Sequence, residues 1–123
     1  MTTEIRHPEP LSQGNTLLME GPLRGGHRVE YDGNVVVLGD VNAGAEVRAG
    51  GDVIVFGALR GMVHGGAKGN DEAKVAALSL FPTQLRIAEH ITCPPQGYTA
   101  APGIHPEVAR ICDDKVVIEP LVF

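Results

Sequence analysis

The sequence predicts an all-β solenoid: a parallel β-helix with three sides and about eighteen residues per coil. Cutting the chain at Gly21, Gly39 and Gly57 gives GPLRGGHRV, GDVNAGAEV and GALRGMVHG, segments that start eighteen residues apart. Between these cuts the run VVVL at Val35–Leu38 recurs as VIVF at Val53–Phe56, and Val29 recurs as Val47. Self-similarity at a period near 20 residues marks a chain that stacks one coil on the next. Composition supplies the third observation. Sixteen glycines in 123 residues, an aromatic share of 4% and no Trp leave a core of Val, Leu, Ile and Ala joined by tight corners. Eighteen residues carrying several glycines and β-branched runs are poor material for a pair of helices. Three short strands separated by corners fit that length, with coils stacked about 4.8 Å apart through backbone hydrogen bonds.

Taken in order, residues 1–14 lack apolar periodicity and are expected to form a flexible tail before one domain over residues 15–123. Gly33, Gly44, Gly50, Gly51 and Gly65 sit where corners fall, positions that need positive φ or close backbone approach. After Gly66 the segment AKGNDEAK adds residues, and the pattern resumes at Val75, twenty-two residues after Val53. The loop around Gly69, Asn70 and Asp71 is therefore expected to bulge out of its coil. Gln84–Ile91 reads as two more strands around a corner, and Cys93–Pro106, with four of the nine prolines, as an irregular excursion. Lys115–Glu119 (KVVIE) reads as a last strand.

Charge excludes several functions. The formal net charge of -5 and pI near 5.4 disfavour a nucleic-acid partner and give no electrostatic reason to sit unaided on an anionic membrane. No apolar run reaches the ~18 residues of a spanning helix, and MTTEIRHPEP lacks the apolar stretch of a secretory signal, so a cytoplasmic protein is expected. Cys93 and Cys112 form no CxxC pair and are expected as reduced, buried or half-buried thiols.

Nothing points to catalysis, a cofactor or a metal. His7, His27, His64, His90 and His105 show no HxH or HxxxH spacing, and an eighteen-residue period sets His27 beside Ala45 and Val63, which are not ligands. The glycine pairs Gly25–Gly26 and Gly65–Gly66 lack the lysine spacing of a phosphate loop, and Ser12 and Ser79 lie in no nucleophile elbow.

The strand runs are apolar on both faces. If Val35, Val37, Val53 and Val55 point into the coil, then Val36, Leu38, Ile54 and Phe56 point out as one stripe. Ala76, Leu78, Val117 and Leu121 extend it if they share that side. Soluble monomers rarely expose such a patch, so a second copy packed face to face is expected, giving a homodimer, the alternative being that the C-terminal excursion folds back to cover the stripe.

The run GPLRGGHRVEYDGNVVVLGDVNAGAEVRAGGDVIVFGALRGMVHGG, together with LSLFPTQLRIAEHI and KVVIEPL, resembles the C-terminal domain of the MinC division-site regulators over most of residues 16–121. The resemblance implies a short right-handed β-helix that dimerises through one apolar face. It also implies binding to the membrane-associated ATPase MinD and, with it, to the tubulin-like protein FtsZ, so that the membrane is reached only through MinD. The family's Arg-Ser-Gly-Gln motif for MinD binding matches Arg24, Gly25, Gly26 and His27, of which Arg24 and Gly26 keep the family residue. Only some fifteen residues precede the first strand, against a separate N-terminal domain in typical members. The expectation is a domain-only homologue or a fragment that does not dismantle FtsZ filaments alone. Two other solenoid classes make different demands. A bactofilin-like scaffold would polymerise by itself, and a hexapeptide-repeat acyltransferase would need sustained hexads that this sequence lacks.

Overall fold

The computed structural model describes residues 15–94 and 103–123, which form eleven β-strands and no helix. The expected tail, residues 1–14, and the middle of the expected excursion, residues 95–102, lie outside the described residues. One six-stranded sheet runs in the order β1 (Thr16–Glu20), β3 (Asn34–Leu38), β5 (Val53–Leu59), β7 (Val75–Leu80), β10 (Glu107–Cys112) and β11 (Lys115–Pro120). A five-stranded sheet runs β2 (Arg28–Tyr31), β4 (Glu46–Ala49), β6 (Met62–Gly65), β8 (Gln84–Ile87) and β9 (His90–Thr92). The third side is made of single parallel bridges, Leu23 to Val41 and Val41 to Leu59.

The eighteen-residue period is the register of this stack. Val35 lies opposite Val53 and Val29 opposite Val47, in parallel pairs. Alternation along each strand sends one set of side chains inward. Val35, Val37, Val53, Val55 and Val75 from the first sheet meet Val47, Ala49, Leu85 and Ile87 from the second, all essentially without solvent contact. Leu23, Val41 and Leu59 close the core from the third side.

Corners are held by side-chain carboxamide and carboxylate oxygens that accept from the next coil. Asn34 Oδ1 accepts the Asp52 N–H at 2.8 Å, Asp52 Oδ1 accepts the Lys74 N–H at 2.8 Å, and Asp40 Oδ1 accepts the Ala58 N–H at 2.8 Å. Each polar corner thus satisfies a donor of the next coil, which would otherwise lack a partner at the end of its ladder. Gly21, Gly39 and Gly57, the three starting points of the repeat, stack at the corner that Asp40 serves. A Cβ on Gly57 would lie 2.6 Å from the carbonyl carbon and oxygen of Gly39, so only glycine fits between these backbones.

The inserted segment bulges as expected. A turn at Gly66–Asn70, with Gly69 and Asn70 N–H groups donating to the Gly66 carbonyl, carries the chain out, and Val75 returns opposite Val53. The register between β5 and β7 shifts separately between Val55 and Ala58, where Phe56 and Gly57 stand at a β-bulge.

Three expectations are corrected, and one strand was not anticipated. In the second sheet Glu46 lies opposite Met62, sixteen residues on, so Val63 stands beside Val47 and not in line with His27 and Ala45. Gln84–Ile91 does not turn a corner of the solenoid: β8 and β9 form an antiparallel hairpin through Ala88, whose φ is 51°, and Glu89. Glu107–Cys112, next to the expected excursion, is a strand that pairs antiparallel with both β7 and β11. Cys93 and Cys112 are both exposed free thiols, because Cys93 follows the edge strand β9 and Cys112 ends β10 at a hairpin tip.

Replacing Gly57 with Ala should cost about 1–3 kcal/mol of unfolding free energy in urea, as overpacking against a backbone that cannot move aside. A midpoint unchanged from the parent would show that the glycine column does not set the spacing of the coils.

Candidate partner-binding surfaces

The segment that follows β1 is anchored before it turns. The buried Leu23 donates its N–H to the Asp40 carbonyl at 2.9 Å and accepts the Asn42 N–H at 2.9 Å. The next four residues, Arg24 to His27, close a turn in which the His27 N–H donates to the Arg24 carbonyl at 2.9 Å. Gly26 has φ +91° at the third position, where a type II turn requires a positive value. The Gly26 N–H donates to the Gly44 carbonyl at 3.0 Å and fastens the turn to the coil below.

The side chain of His27 locks the turn a second time. Its Nδ1 accepts the Arg24 N–H at 3.1 Å, so Nδ1 carries no hydrogen and Nε2 is the donor. Gly25 packs closely: a Cβ there would lie 3.2 Å from the Ala43 carbonyl oxygen. All four residues are exposed, so the motif positions are brought together on one accessible turn.

Arg24 differs from every other described arginine. In the bridge column its counterparts are Asn42 and Arg60, and Arg60 donates to Asn42 Oδ1 at 3.0 Å while lying 3.7 Å from Asp40 Oδ2. Arg28, Arg48, Arg86 and Arg110 each have a carboxylate within 4 Å. Among the described residues, the Arg24 guanidinium has no such partner, which leaves its fork of donors open to an incoming acceptor.

The apolar stripe lies on the outer face of the six-stranded sheet. Leu18, Val36, Ile54 and Ala76 are successive partners in one register row. Leu38 and Phe56 are partners in the row beside it. Leu18 and Phe56 are each 62% exposed, and Leu38 and Ile54 42%. Val36, Ala76 and Leu78 are half-buried. Sequence reasoning overlooked Leu18, although it stands eighteen residues before Val36. The stripe changes character at the C-terminal hairpin, where Val117 lies opposite Arg110 and Glu119 opposite the buried Val108. The Arg110 and Glu119 side chains approach to 3.7 Å there and bound the apolar area.

A third feature was not singled out from the sequence. His64, 8% exposed, is the buried polar residue among the described ones. Burial holds its imidazole below the ordinary value near 6.5, and Arg86 and Arg48 act in the same direction. The hydrogen bond to the Ala88 carbonyl and the charge of Glu89 oppose them. Among the described residues, no group of three or more His, Cys, Asp and Glu side chains is placed to hold a metal ion.

Comparison with known proteins bears on these surfaces. The family model described as "Septum formation inhibitor MinC, C-terminal domain" matches residues 17–121. The chain is 57% identical over 112 residues to a probable septum site-determining protein MinC of Heliobacterium modesticaldum, covering 89% of this chain and 38% of that protein. It is 49% identical over 123 residues to the Symbiobacterium thermophilum protein of the same description, covering 94% and 53%. Among solved structures, a chain of the MinC:MinD cell division protein complex of Aquifex aeolicus superposes with a TM-score of 0.80 at 40% identity, covering 86% of each chain. The chain spans about half the length of the curated relatives it matches, from 38% to 59%.

The depressed His64 value has a sign for stability. An unfolded chain takes up the proton near pH 6.5, and the folded chain only at lower pH, so stability is fully present above 6.5 and declines as pH falls through the folded value. The melting temperature should therefore drop more steeply between pH 7 and pH 5 in the parent than in His64→Gln. Parallel profiles for the two would mean that His64 contributes nothing to the acid sensitivity.

Proposed function

The chain belongs to the MinC C-terminal domain family, and on that premise we propose that it is a dimeric adaptor in division-septum placement that binds a MinD-type ATPase. The observation that carries this reading is the exposed Arg24–His27 turn, fixed by backbone bonds and presenting a guanidinium with no carboxylate partner among the described residues. The likeness to a chain of a MinC:MinD complex, at 40% identity across 86% of the residues, supports it. Arg24 would supply a planar set of donors to a carboxylate or to carbonyl groups of the ATPase. His27 adds an Nε2 donor in place of the family's glutamine, and Gly26 leaves the approach open, since a Cβ there would meet nothing within 4 Å. The function is binding, not catalysis. FtsZ would be engaged together with the ATPase, and the cytoplasmic adaptor would reach the inner face of the membrane through that ATPase.

The second copy would dock on the outer face of the six-stranded sheet. Leu18, Val36, Leu38, Ile54 and Phe56 form a patch that is apolar, nearly flat in register and bounded by the Arg110–Glu119 pair. A two-fold axis parallel to the plane of this sheet sets the patch against itself, the isologous arrangement of most soluble dimers. The scaffold reading has less support, because the parallel stack ends in antiparallel strands on both sheets, β10–β11 on one and β9 on the other.

Two measurements test the proposal. Co-sedimentation with the MinD of the same organism should require ATP and should fall at least about tenfold for Arg24→Ala, the scale expected for a charged hydrogen-bonded contact. Equal pelleting of parent and variant would rule out the turn as the contact. In analytical ultracentrifugation the parent should run as a dimer and Phe56→Asp as a folded monomer, since a carboxylate at the centre of an apolar interface is left without a partner. A Phe56→Asp dimer would place the self-association elsewhere.

A further inference from the structure

The outer face of the five-stranded sheet holds a cleft that the adaptor surfaces leave unused. Arg48 on β4, His64 on β6 and Arg86 on β8 are successive partners in one register row, so three strands present their side chains side by side. The cleft has a volume of about 120 Å³ and is lined by these three residues with Glu46, Met62 and Gln84.

The geometry within the row is fixed. His64 Nε2 lies 3.0 Å from the Ala88 carbonyl oxygen, and Arg86 Nε donates to the same oxygen at 3.0 Å. A carbonyl only accepts, so Nε2 carries the hydrogen and Nδ1 of the neutral ring is bare. Nδ1 has no hydrogen-bond partner among the described residues.

The row alternates charge: Glu30 is the register partner of Arg48, and Glu46 lines the cleft beside the two arginines. Glu30, itself 62% exposed, stands 3.9 Å from Arg48, and Glu89, 83% exposed, stands 3.4 Å from Arg86. Glu46 is directed to Arg28 at 3.7 Å. These exposed pairs contribute little and are readily exchanged. Apolar side chains flank the cations: Met62, 40% exposed, two residues from His64 on the same strand face, and Ile91, 53% exposed, opposite Arg86.

We infer that this cleft is a binding site for a carboxylate side chain, presented by a segment of a protein partner with apolar residues on either side. Arg48 and Arg86 grip the carboxylate, His64 lies beneath it, and Met62 and Ile91 receive the flanking residues. The two shoulders favour a polypeptide over a small free anion, which would leave both uncovered. An anion in the cleft also reverses the balance at His64: the field of Arg48 and Arg86 is offset, Nδ1 gains an acceptor, and a proton taken up there becomes a donor to the carboxylate. Binding is then linked to proton uptake.

The experiment is a titration of the isotope-labelled full chain followed by NMR. Three probes serve at matched ionic strength: Ac-Leu-Glu-Leu-NH2, Ac-Leu-Gln-Leu-NH2 and sodium acetate. Saturable shifts at the His64 ring and the Arg48 and Arg86 side chains are expected with the glutamate peptide, with at least about tenfold weaker affinity for the glutamine peptide and for acetate. Arg48→Gln, whose exposed side chain leaves the core untouched, should weaken the glutamate peptide by a similar factor while keeping a dispersed spectrum. Affinity should fall several-fold from pH 6 to pH 8 in the parent and not in His64→Gln. Equal response to the two peptides, acetate saturating as readily as the peptide, or unchanged affinity in Arg48→Gln would each overturn the inference.

Discussion

Every surface of this domain depends on the parallel backbone ladder between coils. Once Val35 is set opposite Val53 and Val29 opposite Val47, inward and outward residues are assigned for the whole coil, because alternation leaves no freedom in a strand. The corners keep the ladder in register. Asn34, Asp52 and Asp40 each hand an acceptor to the next coil, and the Gly21–Gly39–Gly57 column lets the backbones approach where any side chain would separate them. The core needs no aromatic packing as a result. Small branched side chains stacked at strand spacing fill it.

The functional surfaces are by-products of the same ladder, put to different uses. A turn between the third side and the second sheet is held exposed at Arg24–His27 because Leu23 anchors one end and Gly44 ties the middle. The outer face of the six-stranded sheet is apolar because the strand runs are apolar on both sides. The outer face of the five-stranded sheet is polar, with arginine and glutamate in alternating rows around a buried histidine. One solenoid therefore carries surfaces of different chemistry on its different sides.

Much of this was legible in the chain. The glycine spacing and the repeated VVVL and VIVF runs report the ladder directly, since a repeat in sequence is a repeat in space when every coil has one length. The added residues after Gly66 were visible for the same reason, as a delay before the pattern resumed at Val75. Arg24 to His27 were legible through the family resemblance, and the structure adds why the turn holds its shape: His27 Nδ1 closes it onto the Arg24 N–H.

What stayed hidden follows from unequal coils. The second sheet advances by sixteen residues from Glu46 to Met62 and by twenty-two from Met62 to Gln84, while the repeat announces eighteen. Arg48, His64 and Arg86 thus share a row that no fixed period connects, and His64 reads from sequence as an isolated histidine. The strand Glu107–Cys112 was hidden because antiparallel pairing to β7 has no echo in a parallel repeat. By itself the sequence determined the kind of coil, its period and its apolar faces, which are properties of short stretches. Only the tertiary structure decided which residues meet across coils, because cross-coil neighbours depend on the summed length of everything between them.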